Sequence, residues 1–285
     1  MTAIPDRRIT PARPDLAASH LRGTVDAAAF ADPVAMRVVA PSAPLRREPR
    51  ADAPLDTEAL QGERVEVYER HEGWAWGQLA GDGYVGYLPD DALRAELPAP
   101  THRVAALRSF IYPGPSIKLP PLAALSLGAA VTVTAEQGDF AVLTDGGHVF
   151  GKHLVPLGRT EPDFVAVAER FLGVPYLWGG KTSLGLDCSG LTQLALSTAG
   201  IAAPRDSDMM EATVGTPVPF DEDLTGLQRG DLVFWKGHVG MLTDPDTLLH
   251  ANGYTMTVHR EPLREARDRI RDKSFGAITS IRRLG

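Results

Sequence analysis

The chain has 285 residues, 44% of them hydrophobic and 23% charged, with a formal net charge of −7. That balance describes a folded soluble protein of two or three domains, not a disordered one. The acidic sign gives no reason to expect nucleic acid or an anionic membrane as a partner, since both attract basic surfaces.

No stretch reaches the roughly 18 apolar residues of a membrane span, and the first twenty-odd residues lack the apolar core of a secretory signal. The one cysteine, Cys188, cannot form an internal disulfide, which fits a reducing compartment. The expected location is the cytoplasm. The sequence sets no oligomeric state.

Residues 1–35 are rich in Pro, Ala and Arg without a lasting period, so a poorly ordered arm with at most a short helix is expected. An internal repeat follows. Gly62-Glu-Arg-Val-Glu-Val67 recurs as Gly128-Ala-Ala-Val-Thr-Val133, Glu72-Gly-Trp-Ala-Trp76 as Gln137-Gly-Asp-Phe-Ala141, and Gly83-Tyr-Val85 as Gly147-His-Val149. The offset stays between 64 and 66 residues. Each copy alternates with period two between Gly- and Asp-rich turns, the pattern of short antiparallel strands. Two small β-barrels are expected, at 36–97 and 98–158, and they resemble bacterial SH3-like domains.

From residue 159 the pattern becomes α+β. Thr160-Glu-Pro-Asp163 reads as a helix start with Thr160 as the cap. A second helix begins at Cys188, with Leu191, Leu194, Ala195 and Thr198 on one face and Gly200 at its end. Strands are expected over 231–235, 238–242 and 248–252.

Cys188 lies in Gly185-Leu-Asp-Cys-Ser-Gly190. A thiol in the first turn of a helix feels the positive end of the dipole and unpaired amide donors, which favour the thiolate and can hold an oxyanion. A lone cysteine is otherwise a small buried hydrophobe, and Asp187 is also a natural helix N-cap. If Leu242 faces Leu248, then His238 faces Asn252 and His250 faces Gly240, so the two histidines are diagonal neighbours on one face. Such a pair can act as base and base-orienter for the thiol. The other six histidines have no comparable setting. The chain lacks CxxC, HxxxH and HExxH motifs, so a zinc site is the weaker use of these residues.

Five blocks stand in order: Pro175-Tyr-Leu-Trp-Gly-Gly180, Asp187-Cys-Ser-Gly-Leu191, Arg229-Gly-Asp-Leu-Val-Phe-Trp235, Gly237-His-Val-Gly-Met241 and His250-Ala251. Over about 160–285 they resemble the NlpC/p60 cell-wall cysteine peptidases. The resemblance implies a papain-like α+β domain with Cys188 as nucleophile, His238 as general base, His250 as the orienting third member and Tyr176 lining the site.

With two SH3-like domains ahead, the chain resembles the subgroup that recycles murein peptides, cutting after γ-D-glutamate when the N-terminal L-alanine is free. By that resemblance Asp187, Ser189, Asp206 and Ser207 hold the peptide's amino end, and Glu58 and Tyr87 of the first SH3-like domain close the pocket. The expected partner is a short murein peptide, and no cofactor is needed. The rivals are an amidase or acyltransferase on the same scaffold and a non-catalytic cell-wall binding protein.

Overall fold

The computed structural model describes residues 6–284. The chain divides into two compact units, one ending at Arg159 and one beginning at Thr160. No helix among the described residues is long and apolar enough to cross a membrane.

In the N-terminal unit the repeat reappears as topology. A seven-stranded antiparallel sheet runs in the order 55–60, 42–46, 85–89, 74–79, 64–71, 34–38, 93–95. The second copy has the order 123–126, 108–112, 148–150, 140–143, 133–137, and a further three strands in the order 130–131, 102–104, 154–156. These are the same neighbours shifted by one repeat, with the strand 130–137 broken at Thr132. In the first copy Met36, Val38, Leu45, Val65, Val67, Leu79 and Leu88 fill the core, as inward positions of alternating strands should. The repeated glycines Gly62 and Gly128 both take positive φ, 84° and 91°, and both donate N–H bonds back to the first strand of their copy, at Val38 and Val104.

The arm differs from its expectation. Residues 1–5 lie outside the described part, but from residue 6 the arm is ordered and tied to the first copy. Leu16–Ala18 and Ala29–Ala31 pair as parallel strands, and the Val85 N–H donates to the Arg8 carbonyl at 2.7 Å. The Arg13 guanidinium lies 4.3 Å from the Trp76 ring centroid and donates to Glu69 and to the Tyr87 hydroxyl. Lack of periodicity reflected a strap held by side chains and backbone pairing, not a lack of partners.

The C-terminal unit contains helices α1 (Phe164–Glu169), α2 (Cys188–Thr198), α3 (Ser207–Thr213) and α4 (Leu263–Lys273). Its sheet is built from β1 (Thr216–Pro217), β2 (Leu232–Trp235), β3 (His238–Asp244), β4 (Thr247–Asn252), β5 (Thr257–Pro262) and β6 (Ile278–Arg283), in the order β1-β6-β2-β3-β4-β5. The cap of α1 is Asp163, whose Oδ1 accepts the Ala166 N–H at 3.0 Å. Thr160 lies too early for that geometry, and the neighbouring Glu161 N–H instead donates to the Thr198 carbonyl. Helix α2 is not merely amphipathic, because ten of its eleven residues are buried. Its polar side chains satisfy themselves on backbone carbonyls, Thr192 on Cys188, Gln193 on Ala203 and Thr198 on Ala195, which lets it sit in the core without a wet face. Leu263, Ala266 and Ile270 give α4 one apolar stripe that joins Val233, Trp235, Leu242 and Leu248.

Candidate active site

Two element ends meet here, the start of α2 and the start of β3. Asp187 has extended backbone, φ −91° and ψ 179°, and its Oδ1 accepts the Gly190 N–H at 2.6 Å. This is the N-cap arrangement, and it makes Cys188 the first helical residue, where amides lack intrahelical acceptors. Gly190 is required by space, since a Cβ there would lie 2.2 Å from the Gly180 carbonyl oxygen. The N–H groups of Val239 and Ser189 lie near the Cys188 sulfur and favour its thiolate. Val239 follows His238 in the chain, so the strand that carries the imidazole begins beside the thiol.

The thiol is buried, with 8% of the residue exposed. Burial pushes its pKa up to about 12, the Asp187 charge adds to the rise, and the two amides and the Arg205 cation oppose it. Burial also drives His238 well below the usual histidine range, helped by His250 and Arg269.

The expected register is present: Leu242 pairs with Leu248 and Met241 with Leu249. The irregularity in this hairpin falls between Leu242 and Asp244, on the turn side, so the phase between 238 and 242 is preserved. His238 and His250 are diagonal neighbours with Nε2 of the first 2.7 Å from Nδ1 of the second. Both are buried, at 3% and 1% exposed. The Phe275 ring stacks on the His238 imidazole at 5.2 Å between centroids and 4° between planes.

The relay extends beyond the residues singled out from the sequence. His250 Nε2 lies 2.7 Å from Glu261 Oε1, and Arg269 donates to that same oxygen. Burial pushes the Glu261 carboxyl up, but the hydrogen bonds from His250 and Arg269 outweigh it and hold the group at about 2. The signal was available: β4 pairs with β5 through His250 and His259, so Glu261, two residues on, is the diagonal neighbour of His250 on the same face.

Arg205 is the other residue the sequence pattern does not single out. It is 1% exposed, donates to both Asp187 oxygens at 3.0 and 2.7 Å, and donates to Ser189 Oγ at 2.8 Å. Gly179 N–H gives Asp187 Oδ2 a further donor at 2.9 Å. The expectation that Asp187 and Ser189 turn to a peptide amine thus meets a carboxylate whose two oxygens are already engaged within the chain.

Tyr176 is half-buried, its N–H donates to the Met256 carbonyl, and burial beside Cys188 and Asp187 raises its phenol above the ordinary value. Asp206 and Ser207 stand at the start of α3, with Asp206 half-buried and making no side-chain cap. Glu58 and Tyr87 belong to the N-terminal unit. There Glu58 accepts from Ser42 at 3.3 Å, and the Tyr87 hydroxyl accepts from Arg13 at 2.8 Å.

A buried thiol at a helix start, amide donors near its sulfur and a histidine pair braced by a carboxylate make up the parts of a nucleophilic acyl-transfer site. Comparison with known proteins points the same way. Residues 173–271 match the NlpC/P60 family, and residues 45–93 match the bacterial dipeptidyl-peptidase Sh3 domain. The gamma-D-glutamyl-L-lysine dipeptidyl-peptidase of Bacillus cereus is 28% identical over 241 residues, covering 73% of this chain and 71% of that protein. Dipeptidyl-peptidase 6 of Lysinibacillus sphaericus is 27% identical over 273 residues, covering 86% of this chain and 97% of that one. The crystal structure of an NlpC/P60 family protein from Bacillus cereus superposes with a TM-score of 0.72 over 87% of this chain and 99% of the other, at 21% identity. The chain carries an NlpC/P60 family domain over residues 173–271 and, ahead of it, a bacterial SH3-like domain over residues 45–93.

Proposed function

We propose that the chain is a cysteine endopeptidase that hydrolyses the bond between γ-D-glutamate and the next diamino acid in short murein peptides with a free N-terminal L-alanine. The observation that supports the chemistry is the approach of the Cys188 sulfur, at the start of α2, to the amide of Val239, which follows His238 at the start of β3. The substrate class comes from the two relatives described above, both named for dipeptidyl-peptidase activity.

In the first step the Cys188 thiol gives its proton to His238 as the sulfur attacks the γ-glutamyl carbonyl carbon. Nδ1 is the ring nitrogen available for this, because Nε2 is bonded to His250. Helix-start amides stabilise the oxyanion. The C–N bond then breaks, His238 protonates the leaving amine, and a thioester remains on Cys188. Water, deprotonated by His238, attacks the thioester and releases L-Ala-γ-D-Glu with the thiol restored. No cofactor enters the scheme. His250 keeps the His238 ring in place throughout, and Tyr176 lines the approach to the sulfur.

A free ammonium entering a partly closed site needs a carboxylate to offset its desolvation. Asp206 is the acid proposed for this, and it shares the field of Arg205 with Asp187, which that cation holds directly. Asp187 and Ser189 then act by shaping the helix start, with Ser207 beside the amine. The lone Cys188 thiol suits a reducing compartment such as the cytoplasm, where peptides of this kind would be recycled.

Mass spectrometry of L-Ala-γ-D-Glu-L-Lys and its diaminopimelate counterpart, each with a free or an acetylated amine, tests the reading. Cleavage of the free peptides, with the acetylated ones slower by about tenfold or more, is expected for an amine bound to a carboxylate. Equal cleavage of the acetylated peptides would remove the amine pocket. Failure to cleave any of the four would remove the substrate assignment.

A further inference from the structure

We propose that Glu261, held by Arg269, is a positioning residue for the reaction: it sets the protonation pattern of both histidines so that Nδ1 of His238 is the bare nitrogen that receives the thiol proton. The proposal rests on the thiol chemistry of the preceding section and not on the choice of peptide.

Three strands carry this array, with His238 on β3, His250 on β4 and Glu261 on β5. Each is the diagonal neighbour of the next. Two short contacts link them, His238 Nε2 to His250 Nδ1 at 2.7 Å and His250 Nε2 to Glu261 Oε1 at 2.7 Å, and each contact needs one proton. An ionised carboxylate can only accept, so the His250 Nε2 must carry hydrogen. A neutral His250 then has a bare Nδ1, which can only accept as well. The proton in the first contact therefore belongs to His238 Nε2, and a neutral His238 is left with a bare Nδ1.

Without the carboxylate this logic has no anchor. His250 can then carry its proton on Nδ1 and donate it to His238 Nε2. That arrangement satisfies the first contact equally well but places the remaining His238 proton on Nδ1, where it blocks acceptance from the thiol. Glu261 thus selects between two tautomer patterns of which one is unproductive.

Arg269 strengthens the choice. It donates to the same Oε1 that accepts from His250, and its guanidinium is stacked 4.3 Å over the Tyr254 ring. The carboxylate is held from the α4 side as well as from the sheet. The groups facing the pair are few. His259 lies opposite His250 on β5, Arg269 comes from α4, and Trp235 and Phe275 cover His238 with uncharged rings.

The sharing of one oxygen makes a discriminating prediction. A glutamine at 261 can offer its carbonyl oxygen to both His250 and Arg269, whereas alanine or methionine offers neither an acceptor. In the full-length chain, the rate of Cys188 carboxamidomethylation by iodoacetamide between pH 5 and 9 reads the base directly and requires no substrate. Glu261→Ala and Glu261→Met are expected to slow it at pH 7 by about tenfold or more, on the scale of lost general-base assistance, and to lower kcat with KM little changed. Glu261→Gln is expected to stay close to the wild type in both.

A purely structural role would instead lower thermal stability and leave the alkylation profile of the folded protein unmoved, and that result would overturn the proposal. Nitrogen NMR of the wild type with labelled histidine covers the case in which the variants do not fold. Nε2 of His238 should be protonated and Nδ1 bare, and the opposite pattern would overturn it. If alkylation responds as stated while none of the murein peptides is cut, the positioning role stands and only the substrate assignment fails.

Discussion

Cys188→Ala is expected to reduce peptide turnover by on the order of 10⁶-fold, and His238→Ala by nearly as much, because nucleophile and base act as one unit. No neighbouring group can substitute for the sulfur. Ser189 Oγ is occupied, receiving a hydrogen bond from Arg205 and donating to Asp187, and Ser207 begins a different helix. No other side chain on β3 near the thiol can replace the imidazole, since Val239, Gly240 and Met241 carry no base. The double variant should be no slower than either single one, which is the signature of a shared step rather than two independent contributions. Cys188→Ala removes only a sulfur, whereas His238→Ala empties the space of a buried ring between Phe275 and Trp235, so it is expected to lower stability as well. Chromatography of the released dipeptide, with thermal unfolding as the control for folding, checks all three proteins.

The second large effect concerns the buried ion pair beneath the helix start. Arg205→Met is expected to destabilise the C-terminal unit by about 3 kcal/mol, because removing one partner leaves a buried charge uncompensated. Asp187 would keep the N–H groups of Gly179 and Gly190, which places the cost toward the lower end of the usual range. Its unscreened negative charge would also raise the Cys188 pKa further, since the Arg205 cation opposes that rise in the wild type, so activity should fall beyond what the loss of folded protein explains. Arg205→Lys keeps a charge but gives up the two-pronged geometry and should fall between. Combining Arg205→Met with Asp187→Asn removes both charges while leaving an acceptor for the Gly190 amide, and it should recover much of the stability. Thermal unfolding followed by calorimetry, together with kcat, separates the two consequences.

The readable features were those set by local chemistry. An acid directly before the cysteine and a glycine three residues after that acid announced the cap of α2, and period-two alternation through His238 and His250 announced their shared face. The 64–66-residue offset anticipated a strand order that recurs in the N-terminal unit. What escaped the sequence were partnerships across long separations. Arg205 looks like an ordinary loop cation until the fold brings it 2.7 Å from Asp187, 18 residues away. Glu261 follows His259 and Arg260, both exposed, and its partnership with His250 depends on the pairing of β4 with β5. Thr160 illustrates the opposite error, a well-formed capping pattern overridden by Asp163, which stands at the right distance from the Ala166 amide. The arm misled because Glu69, Trp76 and Tyr87, the partners of Arg13, stand 56 or more residues further along the chain.

Iodoacetamide labelling tests the central claim most directly, because the chain has a single cysteine and each label can be counted by intact-protein mass. Loss of peptide cleavage is predicted to follow labelling one for one, L-Ala-γ-D-Glu-L-Lys is predicted to slow both, and His238→Ala is predicted to label more slowly at neutral pH. A fully labelled protein that still cleaves the peptide would contradict the assignment of Cys188 as the nucleophile.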